Sequence, residues 1–201
     1  DPNLDGDIAD RADIIVLSRN IGGLGFVDDR DGNHSNGSVT VQLVRDTAAT
    51  GALIIAGGGN FTSIDSYYNI ANRGLAPEVL TVGFAHRDES TYIINPKSPI
   101  GPTRGPLSYL KPDVVSVSDE MIGPRVASNV GYGTLENNDS LAIARAVAAA
   151  ASVMNSQPQL TSQEVKALLV NTGIYKIENS HGVAQIGGGS VNPIAASTSP
   201  A

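Results

Sequence analysis

Ser140 closes the run Asn137-Asn138-Asp139-Ser140 and stands directly before the alanine-rich stretch Leu141–Met154. A serine on a turn that opens a helix sits at the positive end of the helix dipole. There it can serve as a nucleophile or as a helix cap. The nucleophile needs a base to take its proton, and the histidines available are His34, His86 and His181. A second chemical group is the opening Asp1-Pro2-Asn3-Leu4-Asp5-Gly6-Asp7. Oxygen-bearing side chains alternate there at Asp1, Asn3, Asp5 and Asp7, with Gly6 for the turn and Asp10 as a further donor. This resembles the first half of a calcium loop, in which several hard oxygens surround one cation. The twelfth position, where a bidentate Glu would complete an EF-hand, is Ala12, so that motif is excluded. The expectation is Ca2+ held by Asp1, Asn3, Asp5, Asp7 and Asp10; without metal, the same residues form a solvated Asx-turn connection.

These groups must be carried by a framework, and the composition restricts it. The 201 residues are enough for one domain with a full core. Aromatic content is 4% with no Trp, so the core must come from Ala, Val, Ile and Leu. The net charge of −7, with no basic cluster, argues against a nucleic-acid partner. Cys is absent, which excludes disulfides, thiolate catalysis and Cys-ligated zinc. The longest apolar helix, around 141–154, carries Arg145 and is too short to span a membrane.

Apolar β-branched runs alternate with helical patterns. Strands are expected at 12–18, 52–60, 78–85 and 111–117, with a helix or strand-helix mixture over 39–51. Helices are expected at about 140–155, with Ser140 at or one place past its N-cap, and at 161–172, with a Thr161/Glu164 capping box and a stop at Gly173. Continuous apolar strands alternating with helices indicate a parallel sheet covered on both faces. The tail Ala196–Ala201 reads as flexible.

Read in order, seven segments resemble those of the subtilases, the subtilisin-like serine peptidases. DPNLDGDIADRADIIVLSRNIGG is similar to the acidic loop and substrate-side strand A-D-V-I-N-M-S-L-G-G. GALIIAGGGN resembles G-V-V-V-V-A-A-A-G-N, and LAPEVLTVGFA resembles A-P-E-V-I-T-V-G-A. TRGPLSYLKPDVV is similar to R-G-P followed by K-P-D-V-V-A-P-G, and NDSLAIARAVA falls on G-T-S-M-A-x-P-H-V-A-G. PQLTSQEVKALLVNTG and GGGSVNPIAA match the segments that close the domain. The resemblance implies an α/β, subtilisin-like fold with a mostly parallel sheet, residues 1–195 being the C-terminal portion of the domain and 196–201 the tail. It also implies a Ser-His-Asp triad with Ser140 as nucleophile and Asn60 as the oxyanion donor; outside that role, Asn60 is a turn residue at a Gly-rich strand exit. The family's Asp and His motifs precede this segment, so another chain or an upstream segment is expected to complete the domain. His34 lies on the wrong side of the strand motif to replace the family histidine, and His86 and His181 read as solvated.

The departures from the family pattern are concentrated at the chemistry. The Gly-Thr before the serine is Asn138-Asp139, the Pro and His after it are Ala144 and Arg145, and A-P-G after K-P-D-V-V is Ser116-Val117-Ser118. An Asp beside the nucleophile places negative charge where the oxyanion must develop. The sequence thus points to a degenerate subtilase domain with a structural or binding role in an extracellular or cell-surface assembly. An active serine endopeptidase completed from elsewhere is the alternative. A third reading is a calcium-dependent adhesion or inhibitor-type module that takes a peptide or protein ligand in the old cleft. Asn33, Asn36, Asn60 and Asn138 are N-x-S/T sequons, two of them on the turns of the ancestral site.

Overall fold

The computed structural model describes residues 6–7, 10–18, 39–60, 67–89, 91–104, 108–119, 121–125, 130–134, 139–180 and 182–200. Four strands form where apolar β-branched residues run together: β1 (Ile14–Leu17), β2 (Leu53–Gly57), β3 (Leu80–Asp88) and β5 (Val114–Val117). β1 pairs with β2, β2 with β3 and β3 with β5, all in parallel. β4 (Thr91–Ile94) folds back antiparallel on the end of β3, and the two-residue β8 (Ile177–Glu178) adds in parallel beside it. A separate hairpin joins β6 (Ile122–Pro124) to β7 (Tyr132–Thr134). The sheet is therefore mixed and mostly parallel, as the run of apolar strands predicts.

Strand β2 shows why both faces must be covered, since all five of its residues are buried. Leu53 and Ile55 point into a core shared with α2 (Asp139–Ser156) and α3 (Ser162–Asn171). Ile54 and Ala56 point the other way, against Val41 and Val44 of α1 (Val39–Ala49) and against Ile70, Leu75 and Val79. Alternation along one strand thus feeds two cores. The segment over 39–51, which the sequence left between helix and strand, is helical up to Ala49.

Helix α2 buries Ala142, Ile143, Ala146, Ala149, Ala150 and Val153, the i, i+4, i+7, i+8 stripe of a single face. The small side chains on that stripe let the helix lie close on the sheet. Helix α3 begins at the expected capping box: the Thr161 amide donates to Glu164 Oε2 at 2.7 Å and the Glu164 amide donates to Thr161 Oγ1 at 3.3 Å. The short α4 (Val183–Ile186) and α5 (Pro193–Thr198) follow. Residues 196–198, read from the sequence as the start of a flexible tail, form the end of α5, and Ala196 is buried in the main core. Among the described residues, no helix is long and apolar enough to cross a membrane.

Candidate functional site

The exit of β2 and the start of α2 meet at Gly57. A Cβ on that residue would lie 2.8 Å from Asp139 Oδ2, 2.8 Å from Ile143 Cδ1 and 3.1 Å from Arg73 Nη2. Only a glycine lets the helix terminus approach the strand end this closely. Asn60 follows three residues later and is exposed. Ser140 is the second residue of α2 and is also exposed. The two sequence-predicted site residues are thus carried by elements that converge on one end of the sheet.

Asp139 lies between them in chemistry and is buried, at 7% exposure. Its Oδ2 accepts from Arg73 Nη2 at 2.8 Å, while Arg73 Nε donates to the Gly57 carbonyl at 3.0 Å. Arg73 comes from a 3₁₀ turn, Asn72–Gly74, and is itself only 5% exposed. Burial pushes the Asp139 carboxyl up from its usual range, and the charge of Arg73, with smaller help from neighbouring Ser140, pulls it back. Burial likewise pushes Arg73 down against the pull of Asp139. In both partners desolvation is the largest influence, as expected of an ion pair removed from water.

Chemically, this arrangement sets a buried carboxylate beside the serine. A general base for Ser140 would have to be a group of moderate basicity aimed at its hydroxyl. The carboxylate that precedes it in the chain is already committed to an arginine. A carboxylate so close to the attacking oxygen also opposes an oxyanion.

The remaining predicted residues divide by position. Asp7 and Asp10 are exposed on the described part of the opening segment, whereas Asp1, Asn3 and Asp5 lie outside the described residues. Asn138, His34 and His181 also lie outside them. His86 sits within β3, paired with Ile93 of β4. Among the described residues, no group of three or more His, Cys, Asp or Glu side chains is placed to hold a metal. Sequence reasoning missed Arg73. Its only signal was indirect: an acid heading an apolar helix, as Asp139 does, needs a cation if it is buried.

The sequence pattern of the Subtilase family matches residues 4–189, nearly the whole chain. The chain belongs to the subtilase family. None of the curated protein sequences matches it. Among solved structures, the subtilase chain is similar to a protease of Pseudoalteromonas arctica PAMC 21717, with a TM-score of 0.67 and 18% identity over 94% of this chain and 51% of that one. It is similar to the prenylagaramide maturation protease PagA, with a TM-score of 0.59 and 20% identity over 78% of this chain and 53% of that one. It is also similar to MycP1 from Mycobacterium smegmatis, with a TM-score of 0.56 and 20% identity over 77% of this chain and 43% of that one. The subtilase segment therefore spans about half the length of these structures, and at such identities the likeness establishes the fold.

Proposed function

We propose that this subtilase domain no longer cleaves peptide bonds and serves a structural or binding role in an extracellular assembly. The observation that carries this reading is Asp139. A buried carboxylate ion-paired to Arg73 stands directly beside Ser140, at the position where the family pattern has a threonine. Labelling of the full protein with a fluorophosphonate probe tests it. The expected result is no adduct on Ser140; stoichiometric labelling of Ser140 would overturn the proposal.

A second reading, an active serine endopeptidase, is favoured by the exposure of both Ser140 and Asn60 on converging elements. It requires Asp and His from an upstream segment or a separate chain, and the same labelling experiment decides between the two.

The opening segment is proposed to hold Ca2+ through Asp1, Asn3, Asp5, Asp7 and Asp10. The donor chemistry suits a hard cation, and Asp7 and Asp10 are exposed to receive one. Addition of EGTA is expected to lower the melting temperature, and an unchanged melting temperature removes the ion from the account. The extracellular placement predicts glycans at the sequons, including the exposed Asn60, and glycopeptide mass analysis reads this directly.

A further inference from the structure

Four cations of this acidic chain stand against carboxylates. Arg45 faces Glu78 at 3.2 Å, Arg73 faces Asp139 at 2.8 Å, and Lys111 and Lys166 share Asp113 at 2.6 and 3.1 Å. Arg87 and Arg145 differ. Arg145 Nη2 donates to the Asp119 carbonyl at 2.9 Å, and Arg87 Nε donates to the Glu89 carbonyl at 3.1 Å. The Asp119 carboxylate is engaged by the backbone amide of Arg87, at 3.1 Å, and not by either guanidinium. Among the described residues, neither arginine has a carboxylate partner.

Both arginines line one cavity of about 350 Å3 formed by residues of β3, β4, β5 and α2 together with Ser190, Val191 and Pro193. Ser116, Ser190 and Tyr92 supply further polar groups, and the two serines are buried. Val117, Ala149 and Val191 give it an apolar wall as well. Arg145 lies five residues beyond Ser140 on α2, roughly 7–8 Å along the axis and about 140° around it. The cavity is therefore distinct from the nucleophile turn. Ser116, Val117 and Arg145 are also positions where the chain departs from the subtilase pattern, and although far apart in sequence they converge here.

Among the described residues both guanidinium groups are hydrogen-bonded to carbonyls without an ion pair, and two such cations in one recess favour an anion. The apolar wall selects the remainder of the ligand, and the volume lies at the lower end for small-molecule sites. We propose that this cavity binds a monocarboxylate with a compact apolar body, the carboxylate between Arg87 and Arg145 and the body against Val117, Ala149 and Val191. The proposal is independent of whether Ser140 is active.

Calorimetric titration of the full protein with N-acetyl-leucine and with hexanoate tests it, with N-acetyl-leucinamide and hexanamide as uncharged controls. Both acids are expected to bind and the amides to bind at least about tenfold more weakly, the usual range for a charge-assisted contact. Tighter binding of N-acetyl-leucine would identify the ligand as a peptide C-terminus, and tighter binding of hexanoate as a free alkyl acid. Arg145→Gln is expected to weaken the acids about tenfold. Ala148→Leu, from an exposed helix position on the rim, is expected to abolish binding by filling the recess. The proposal is overturned if neither acid binds at millimolar concentration, if amide and acid bind equally, or if Ala148→Leu leaves binding unchanged.

Discussion

Replacing Asp139 by Asn removes one charge from the buried pair while keeping volume and a hydrogen-bond acceptor. The Arg73 guanidinium, 5% exposed, is then left without its counter-charge. The nitrogen–oxygen contact of 2.8 Å puts the charge centres about 4 Å apart, which at an effective dielectric constant of about 20 corresponds to about 4 kcal/mol. Breaking a buried pair from one side costs about 3–5 kcal/mol in other proteins, so both routes give the same magnitude. Arg73→Met removes the other side. Its cost is smaller at acid pH, because the stranded carboxyl can take a proton. The Asp139 carboxyl is already raised by burial and loses the pull of Arg73 in this variant. A carboxyl whose folded pKa exceeds its unfolded value binds a proton more tightly in the folded state. Stability of Arg73→Met must therefore fall as pH rises from about 4 through the folded pKa. The double variant Arg73→Met/Asp139→Leu removes both charges and both desolvation penalties, and is expected to be neutral or more stable by about 1–4 kcal/mol.

Denaturant unfolding followed by far-ultraviolet circular dichroism at pH 7 reads these stabilities together with that of Asp139→Leu, and the cycle formed by Arg73→Met, Asp139→Leu and their double isolates the coupling. Two single variants within about 0.5 kcal/mol of the parent, adding simply in the double, would refute the reasoning. The pair would then be hydrated in solution and could not set the Ser140 turn.

Two further outcomes follow from the same framework. Burial pushes Lys111 down from 10.5 to about 8, although Asp113 lies 2.6 Å away. The unfolded chain keeps this proton up to 10.5 while the folded chain releases it near 8, so stability should rise with pH across that window. At about 1.4 kcal/mol per pH unit the full effect is about 3 kcal/mol, and it should vanish from the unfolding profile of Lys111→Met; parallel profiles would contradict it. Gly57→Ala places a methyl group 2.8 Å from both Asp139 Oδ2 and Ile143 Cδ1. A loss of about 1–3 kcal/mol is expected for such overpacking, and an unchanged denaturation midpoint would contradict the close approach of α2.

The parts of the fold that could be read from the residues are those governed by local periodicity. β2 is an unbroken apolar run buried on both faces, β3 is buried from Leu80 to Ala85, and α2 and α3 carry a one-face stripe and a capping box, so each element announces itself within its own segment. β4 and β8 could not be read this way. Thr91–Ile94 and Ile177–Glu178 are short and half-buried, and they become strands because the extended end of β3 offers an edge to pair with. The site divides along the same line. Ser140, Asn60 and Asp139 could be singled out in the sequence because the family pattern fixes their order along the chain. Arg73 was not, because its role depends on a contact across 66 residues that Gly57 permits by having no side chain. That contact also changes what Asp139 means. From sequence it is a charge beside a nucleophile, an obstacle to an oxyanion. In the fold it is half of a buried pair, tied to two other elements and directly preceding the serine. Restoring threonine at 139 alone would therefore strand Arg73 in the core.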